Sequence, residues 1–377
     1  MEDKAIVISE DHYNALGVIR SLGEKKIPVN LILTTKPGHT YTNKSKYVTE
    51  VIFTDHDQKK IIEEVKKLCK NQGRYFIFPL SDFSAMLIDQ NYTLFDKNVV
   101  CPNMKGNMMI YQNKVNSKNL AIKCGMKSAK SMILKVSDYA KWSEFPAIIK
   151  PLISQEGVKS DITIVDNSQE LVEALDKFRT RNYTRVLIEQ YLAGKDEHMV
   201  EVLGCSFGEN VFIAGIIKKI REYPMKRGST SYAQIVQEHK DIEYETIKQF
   251  IKLSQYEGLF DMEFKYVDGR CYFIECNFRN GAPSYAFTLS GCNLPYNWVL
   301  GKKNKELINM GQENNGLYFM CEQTDFLNAL KREISLKKWL KDFCHCKKIF
   351  LVTNDSYPSF VYYMQFIKTM LKRLFRR

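Results

Sequence analysis

Between Leu259 and Arg279 the chain reads Leu-Phe-Asp-Met-Glu-Phe-Lys-Tyr-Val-Asp-Gly-Arg-Cys-Tyr-Phe-Ile-Glu-Cys-Asn-Phe-Arg. Two alternating runs flank Asp268-Gly269, the pattern of a β-hairpin. A plain two-residue loop pairs Glu263 with Ile274 and sends Glu275 to the other face. A three-residue loop containing the same glycine moves the register by one. It gathers Asp261, Glu263 and Lys265 with Phe273, Glu275 and Asn277, and leaves Met262, Phe264, Tyr266, Tyr272, Ile274 and Cys276 on an apolar face. Register follows the buried face, so the second loop is expected.

In that register Glu263 and Glu275 sit across or nearly across a strand pair, where like charges repel. A divalent cation removes the conflict, and carboxylate and amide oxygens are hard ligands of the kind Mg²⁺ takes beside nucleotide phosphates. Mn²⁺ is the alternative ion. Asn277 adds a neutral oxygen on the same face, and Arg279 follows as an anion partner. A hairpin with a solvated acidic face and no metal is the competing reading.

These residues resemble the ATP-grasp superfamily, whose metal-binding hairpin reads Glu-Phe…Gly…Phe-x-Glu-x-Asn-x-Arg. The resemblance is nearest to its carboxylate–amine ligase branch, with biotin carboxylase and carbamoyl-phosphate synthetase more distant. It implies that Glu263, Glu275 and Asn277 hold Mg²⁺ and that Arg279 steadies a substrate carboxylate or its acyl phosphate.

With 377 residues, 45% hydrophobic and 26% charged, the chain has room for two or three packed domains. No run approaches the ~20 apolar residues of a membrane-spanning helix. Met-Glu-Asp-Lys leads directly into the short apolar run Ala5–Ile8, without the long core of a secretory signal, so a cytoplasmic protein is expected. Ten cysteines without paired spacing suit free thiols. The net charge of +12 is spread along the chain with no nucleic-acid module, so no nucleic-acid partner is expected. Positive charge also attracts ATP and an anionic acceptor.

Ala5–Ser9, a helical pattern through Leu22 and Val29–Leu33 make a βαβ unit. The alternation continues through Lys59–Cys69 and Tyr75–Pro79. No Gly-x-Gly-x-x-Gly follows the first strand, which argues against a dinucleotide. The expected fold class is α/β, α+β in the core: an ATP-grasp fold with an N-terminal Rossmann-like parallel-sheet domain over residues 1–100. A nucleotide-binding core follows over 101–300, with a lid at about 125–190, then an extension over 301–377. Asp82 falls just after a strand and reads as a helix N-cap.

The resemblance assigns further roles. Lys114 opens a helix and matches a phosphate-contacting lysine, while Lys150, ending the apolar run Pro146–Pro151, matches one that contacts adenine and phosphate. A buried ammonium there needs an anionic partner. The phosphate loop at 152–160 departs from the pattern, with Gly157 its sole glycine and an acidic Glu156 beside Ser154 and Ser160. Glu189 with the backbone of Tyr191 and Leu192 matches the adenine hinge, and Asp196, seven residues on, matches the ribose-binding acid, with Glu197 as its neighbour. Strand alternation puts Lys219 and Arg221 on one face, near the γ-phosphate by resemblance, and a donor-rich loop follows through Lys226 and Arg227.

The chain ends in Pro358–Arg377, with Phe360, Met364, Ile367, Met370 and Leu374 at helical spacing among Lys368, Lys372, Arg373, Arg376 and Arg377. Such a helix docks on its own core or lies on an anionic membrane. Docking is preferred.

The expected function is an ATP-dependent ligase that activates a small-molecule carboxylate as an acyl phosphate and joins it to an amine. An amino acid with a sugar acid or cell-surface precursor is the substrate pair suggested by analogy. The alternatives are an acyl-phosphate enzyme with a non-amine acceptor, or a non-catalytic membrane- or nucleic-acid-binding protein on the same fold. A homodimer and peripheral contact at the inner membrane face are left open.

Overall fold

A computed structural model of the chain describes residues 2–70, 72–138, 141–152, 162–194, 198–225, 228–304 and 316–374. The first sheet is parallel throughout, in the spatial order Val48–Phe53, Val29–Leu33, Asp3–Ser9, Arg74–Pro79, Val99–Val100. Both faces of its central strand are covered, as a parallel sheet requires. Ala5 and Val7 pack with the helix Tyr13–Gly23, and Ile6 and Ile8 with the helices Gln58–Cys69 and Asp82–Gln90. The period of two along one strand thus supplies two cores.

A second, antiparallel sheet runs Ser131–Lys135, Arg185–Gln190, Ala147–Lys150, Thr163–Val165. The helix Ser168–Thr180 covers it through Leu171, Ala174, Leu175 and Phe178. The third sheet has eight strands, in the order Lys347–Lys348, Tyr318–Met320, Ser229–Val236, Asn210–Tyr223, Met199–Phe207, Gly258–Val267, Arg270–Asn277, Lys127–Ser128. One face carries Leu203, Cys205, Ile217 and Ile235 toward the first sheet's helix Tyr13–Gly23. The other buries Val202, Ile216, Met262 and Phe273 under the helices Lys114–Lys123 and Tyr244–Ser254. Residues past Gly301 are therefore not all appended to this sheet: Tyr318–Met320 and Lys347–Lys348 complete its far edge.

The C-terminal segment is fastened to the first helix. Arg20, fully buried, bonds the Asp355 carboxylate at 3.0 Å, the Asp355 carbonyl at 2.7 Å and the carbonyls of Ile349 and Phe350. The last helix, Tyr357–Leu374, then departs from the sequence expectation. It docks through Val361, Tyr362 and Tyr363, whereas Phe360, Met364, Ile367 and Met370 are at least 40% exposed. The tyrosines and the stripe lie on different faces, and the aromatic face won because Tyr41 and Phe350 offer it edge-to-face partners.

Candidate active site

The hairpin has Asp268 (φ 48°) and Gly269 (φ 78°) in a two-residue turn closed by Val267 opposite Arg270. This corrects the three-residue loop. A β-bulge after Glu263 then absorbs one residue, so Phe264 faces Phe273 while Glu263 faces Glu275 and Asp261 faces Asn277. The bulge achieves at the carboxylates what the longer loop was expected to do. Nearer the turn it reverses the expected faces: Phe273 and Cys271 join the core with Phe264, and Ile274 lines ligand-sized space instead.

Glu201, on the neighbouring strand, faces Glu263 on its other side, so Glu201, Glu263 and Glu275 form one row across three strands. Such a row is self-repelling. Lys219 partly relieves it, reaching Glu201 at 2.8 Å, Glu222 at 3.3 Å and Glu263 at 3.5 Å. Burial opposes the Lys219 charge, but Glu201, Glu263 and Glu222 outweigh it and hold its pKa well above the usual lysine range. At the other end, burial and then Glu263 push the Glu275 carboxyl up, with Lys114 opposing. Asp261, buried beside Glu201 and Glu263, is raised further.

The donor set suits a hard divalent cation on chemistry alone: two facing carboxylates with a repulsion to relieve, and beside them Asn277, whose amide nitrogen donates to Glu263 at 3.5 Å while its oxygen accepts from Arg279 at 3.2 Å. Among the described residues no three acidic, histidine or cysteine side chains converge on one point, so such a cation would draw its remaining ligands from phosphates or water. Arg279 also bonds Asp82 at 2.9 Å. The N-cap of that helix is Ser81, in a capping box with Ser84, which corrects the role expected of Asp82.

Arg221 is not brought to this row. Irregular pairing on both sides of it breaks the strand alternation, and its guanidinium bonds Asp325 at 2.8 and 3.0 Å and Asp342 at 2.6 Å, over the ring of Tyr232. Alternation failed here because a bulge flips every side chain after it.

A cavity of about 170 Å³ lies between the second and third sheets, lined by Lys150, Glu189, Tyr191, Leu192, Ile148 and Lys118 among others. Lys150 and Lys118 both pair with the Glu189 carboxylate, one on each oxygen. Burial works against the Glu189 charge, yet the two lysines hold its carboxyl below the usual range. Lys118 was missed in the sequence, although it lies one helical turn beyond Lys114 and on the same face. Lys114 sits between the two centres: burial depresses its pKa, with Glu275 and Glu189 opposing. Lys265 lies over the Tyr191 ring at 5.3 Å. Asp196 and Glu197, the loop residues Ser154, Glu156, Gly157 and Ser160, and Lys226 and Arg227 fall outside the described residues.

No family model matches the chain. A curated relative, the D-aspartate ligase of Enterococcus faecium, is 24% identical over 278 residues, 67% of this chain and 66% of that protein. The chain thus spans just under two thirds of that relative's length. Among solved structures, the L-amino acid ligase of Bacillus licheniformis superposes with a TM-score of 0.58 at 15% identity, over 80% of this chain and 74% of that one. The biotin carboxylase domain dimer of Hydrogenobacter thermophilus 2-oxoglutarate carboxylase, solved with ADP, magnesium and bicarbonate, superposes at 0.65 and 18% identity, over 84% and 73%. The fold is ATP-grasp. ATP-grasp neighbours thus carry nucleotide and magnesium in their own crystals. No helix among the described residues is long and apolar enough to cross a membrane.

Proposed function

We propose that this chain is an ATP-dependent carboxylate–amine ligase. One observation carries the reading: a facing Glu263–Glu275 pair, with Asn277 and Arg279 beside it, is linked through Lys114 to a cavity lined by Lys150, Glu189, Tyr191 and Leu192. The first group fits metal and triphosphate; the second fits a nucleoside. The relative and the amino-acid ligase neighbour, by their names, join amino acids, which makes aspartate the first acid to test.

Glu263, Glu275 and Asn277 would hold Mg²⁺, with Mn²⁺ as the substitute, and the ion would offset phosphate charge. Lys150 and Lys118 turn from Glu189 toward the nucleotide, freeing the carboxylate to accept from it. Lys114 lies beside Glu275, where a triphosphate would end. The γ-phosphoryl group passes to a substrate carboxylate oxygen and ADP leaves. Arg279 holds that acid, in an orientation fixed by Asp82. The amine nitrogen then attacks the acyl carbon, the bond to the phosphate oxygen breaks, inorganic phosphate departs and the nitrogen loses a proton. Positioning and charge supply most of the rate in such chemistry. The test is ADP release with Mg²⁺, ATP and D- or L-aspartate, with hydroxylamine as a general acceptor. Glu275→Gln should lower it by about 100-fold or more, and wild-type rates in that variant would remove the assignment.

A membrane contact is a second reading, favoured by the exposed stripe Tyr357, Phe360, Met364, Ile367, Leu371, whose 3- and 4-residue steps hold one face. Lys368 and Lys372 flank it, and no acidic residue follows Asp355. An anionic bilayer complements that charge, whereas a second copy of the helix would repel it. Salt-sensitive co-sedimentation with anionic vesicles, lost on removal of residues 364–377, is the expected result. Equal sedimentation of both chains would end this reading.

A further inference from the structure

Four buried side-chain oxygens near the row of carboxylates lack hydrogen-bond partners among the described residues: Glu201 Oε2, Asp261 Oδ1, Tyr13 Oη and Gln323 Oε1. Each belongs to a residue 7% exposed or less. Orphaned buried acceptors are costly, and native proteins leave few without a reason. These four are neighbours in space. Tyr13 feels the charges of Glu201 and Lys219, Asp261 feels Glu201, and Tyr41, which acts on Tyr13, has Gln323 beside it. Tyr13 opens the first helix, Glu201 and Asp261 lie on adjacent strands of the large sheet, and Gln323 follows its strand Tyr318–Met320. The cluster therefore lines the seam where the parallel sheet's layer meets the eight-stranded sheet.

Among the described residues acidic side chains also predominate here, with Glu201, Glu222, Glu263 and Asp261 around Lys219. Glu201 Oε1 already takes Lys219 at 2.8 Å and the Thr230 hydroxyl at 2.8 Å, and Lys219 is shared with Glu222 and Glu263. Among the described residues this ammonium is thus shared by Glu201, Glu263 and Glu222, the last of which also accepts from the Gly228 N–H at 3.2 Å. Asp261 is opposed only at longer range, by Arg279 and Lys219. A ligand that answers these oxygens donates, and it is small, because Gly281 closes over Asp261: a Cβ there would lie 3.0 Å from the Asp261 Cγ. A primary ammonium has three donors and no acceptor. A metal ion fits less well, since no three ligating side chains converge among the described residues.

We infer that Glu201, Asp261 and Tyr13 form a subsite for the primary ammonium group of a substrate. The inference rests on the ligase reading for calling the ligand a substrate, but not for its charge. The ammonium belongs either to the acid, as in an amino acid, or to the attacking amine. Glu201 and Asp261 would hold it a short distance from Arg279, which grips the carboxylate, so that one molecule bearing both charges is seated across the pair.

Calorimetric titration of the full chain without nucleotide tests this with two matched pairs, D-aspartate against succinate and propylamine against 1-propanol. The expected result is a preference of at least about tenfold for the ammonium-bearing member of one pair. Preference in the first pair assigns the site to the acid; preference in the second assigns it to the amine. Glu201→Gln should abolish the preference while leaving succinate or propanol unchanged. Tyr13→Phe, which removes one oxygen and little volume, should weaken it in the same direction. No preference in either pair, or a preference that survives both variants, overturns the subsite. ADP release is measured separately. Ammonium preference without ADP release would refute the ligase and leave the subsite standing, and ADP release without preference would do the reverse.

Discussion

Asp82 and Arg279 are 197 residues apart in sequence and bonded at 2.9 Å, so the helix that follows the parallel sheet's fourth strand in sequence and the hairpin of facing carboxylates share one ion pair. Each side chain is 22% exposed. A pair so placed adds modest stability, about 1 kcal/mol or less. Its larger effect is on the aim of the guanidinium. Asp82→Asn is expected to shift the melting temperature by only a few degrees, about 2–4 °C. It should raise KM for the carboxylate substrate by about tenfold through a misaligned Arg279. Unchanged KM with a large melting shift would make the pair structural alone.

Breaking the Lys118–Glu189–Lys150 cluster should show the asymmetry of buried charge. Lys150→Met leaves Glu189 with one partner and is expected to destabilise by about 3 kcal/mol. Adding Glu189→Gln should return much of that loss, because the orphaned charge goes with it. Urea melts of the two single variants and the double variant measure the coupling. Nucleotide affinity, titrated in parallel, should fall more for Lys150→Ala than for Lys114→Ala.

Glu322 carries a pH dependence with a definite sign. Burial lifts its carboxyl from the ordinary value of 4.5 to about 7, against opposing hydrogen bonds from the backbone of Leu351 and Phe350. Its folded pKa lies above its unfolded one. The stabilising contribution is therefore complete below pH 4.5 and is lost as pH rises through about 7. The loss is on the order of 3 kcal/mol. Between pH 4.5 and 7 wild type should lose stability relative to Glu322→Gln. Parallel pH–melting curves would show that Glu322 does not titrate in this window.

Two truncations divide the last helix by function. Ending the chain after Tyr363 keeps Val361, Tyr362 and Tyr363 on the core and should leave the melting temperature nearly unchanged. Ending it after Ser356 removes them, together with the Ser359 hydroxyl bond to Phe350 at 2.7 Å. That loss should cost several kcal/mol, about 3–5 by the burial of the aromatic side chains. Thermal melts of both proteins check the division.

The facing carboxylates, the parallel sheet and the paired Lys150 were legible because alternation and buried charge leave marks in one dimension. The bulge after Glu263 left none, since inserting a residue in a strand changes geometry without changing composition. The same blindness misplaced Arg221, where two irregularities follow each other. Lys118 was readable from its spacing with Lys114, but its partner Glu189 lies 71 residues away. Glu201 offered a signal that was passed over: it is the one charged residue in a strand whose residues are nearly all buried. In the last helix, periodicity found an apolar stripe but could not say what would cover it. That depended on Tyr41 and Phe350, which no local pattern connects to it.

The clamp on Arg20 also sets an order of assembly. During synthesis the first parallel sheet emerges before that segment, with a guanidinium on its first helix whose acidic neighbour on the same stretch is Glu24 at the helix end. Asp355 lies 335 residues further along and reaches the same spot only after that stretch has left the ribosome. Until then Arg20 must stay solvated, so that face of the helix cannot close. The parallel-sheet layer is therefore made well before the segment that finishes it, and a chain stalled between the two would expose it to proteases at the helix Tyr13–Gly23.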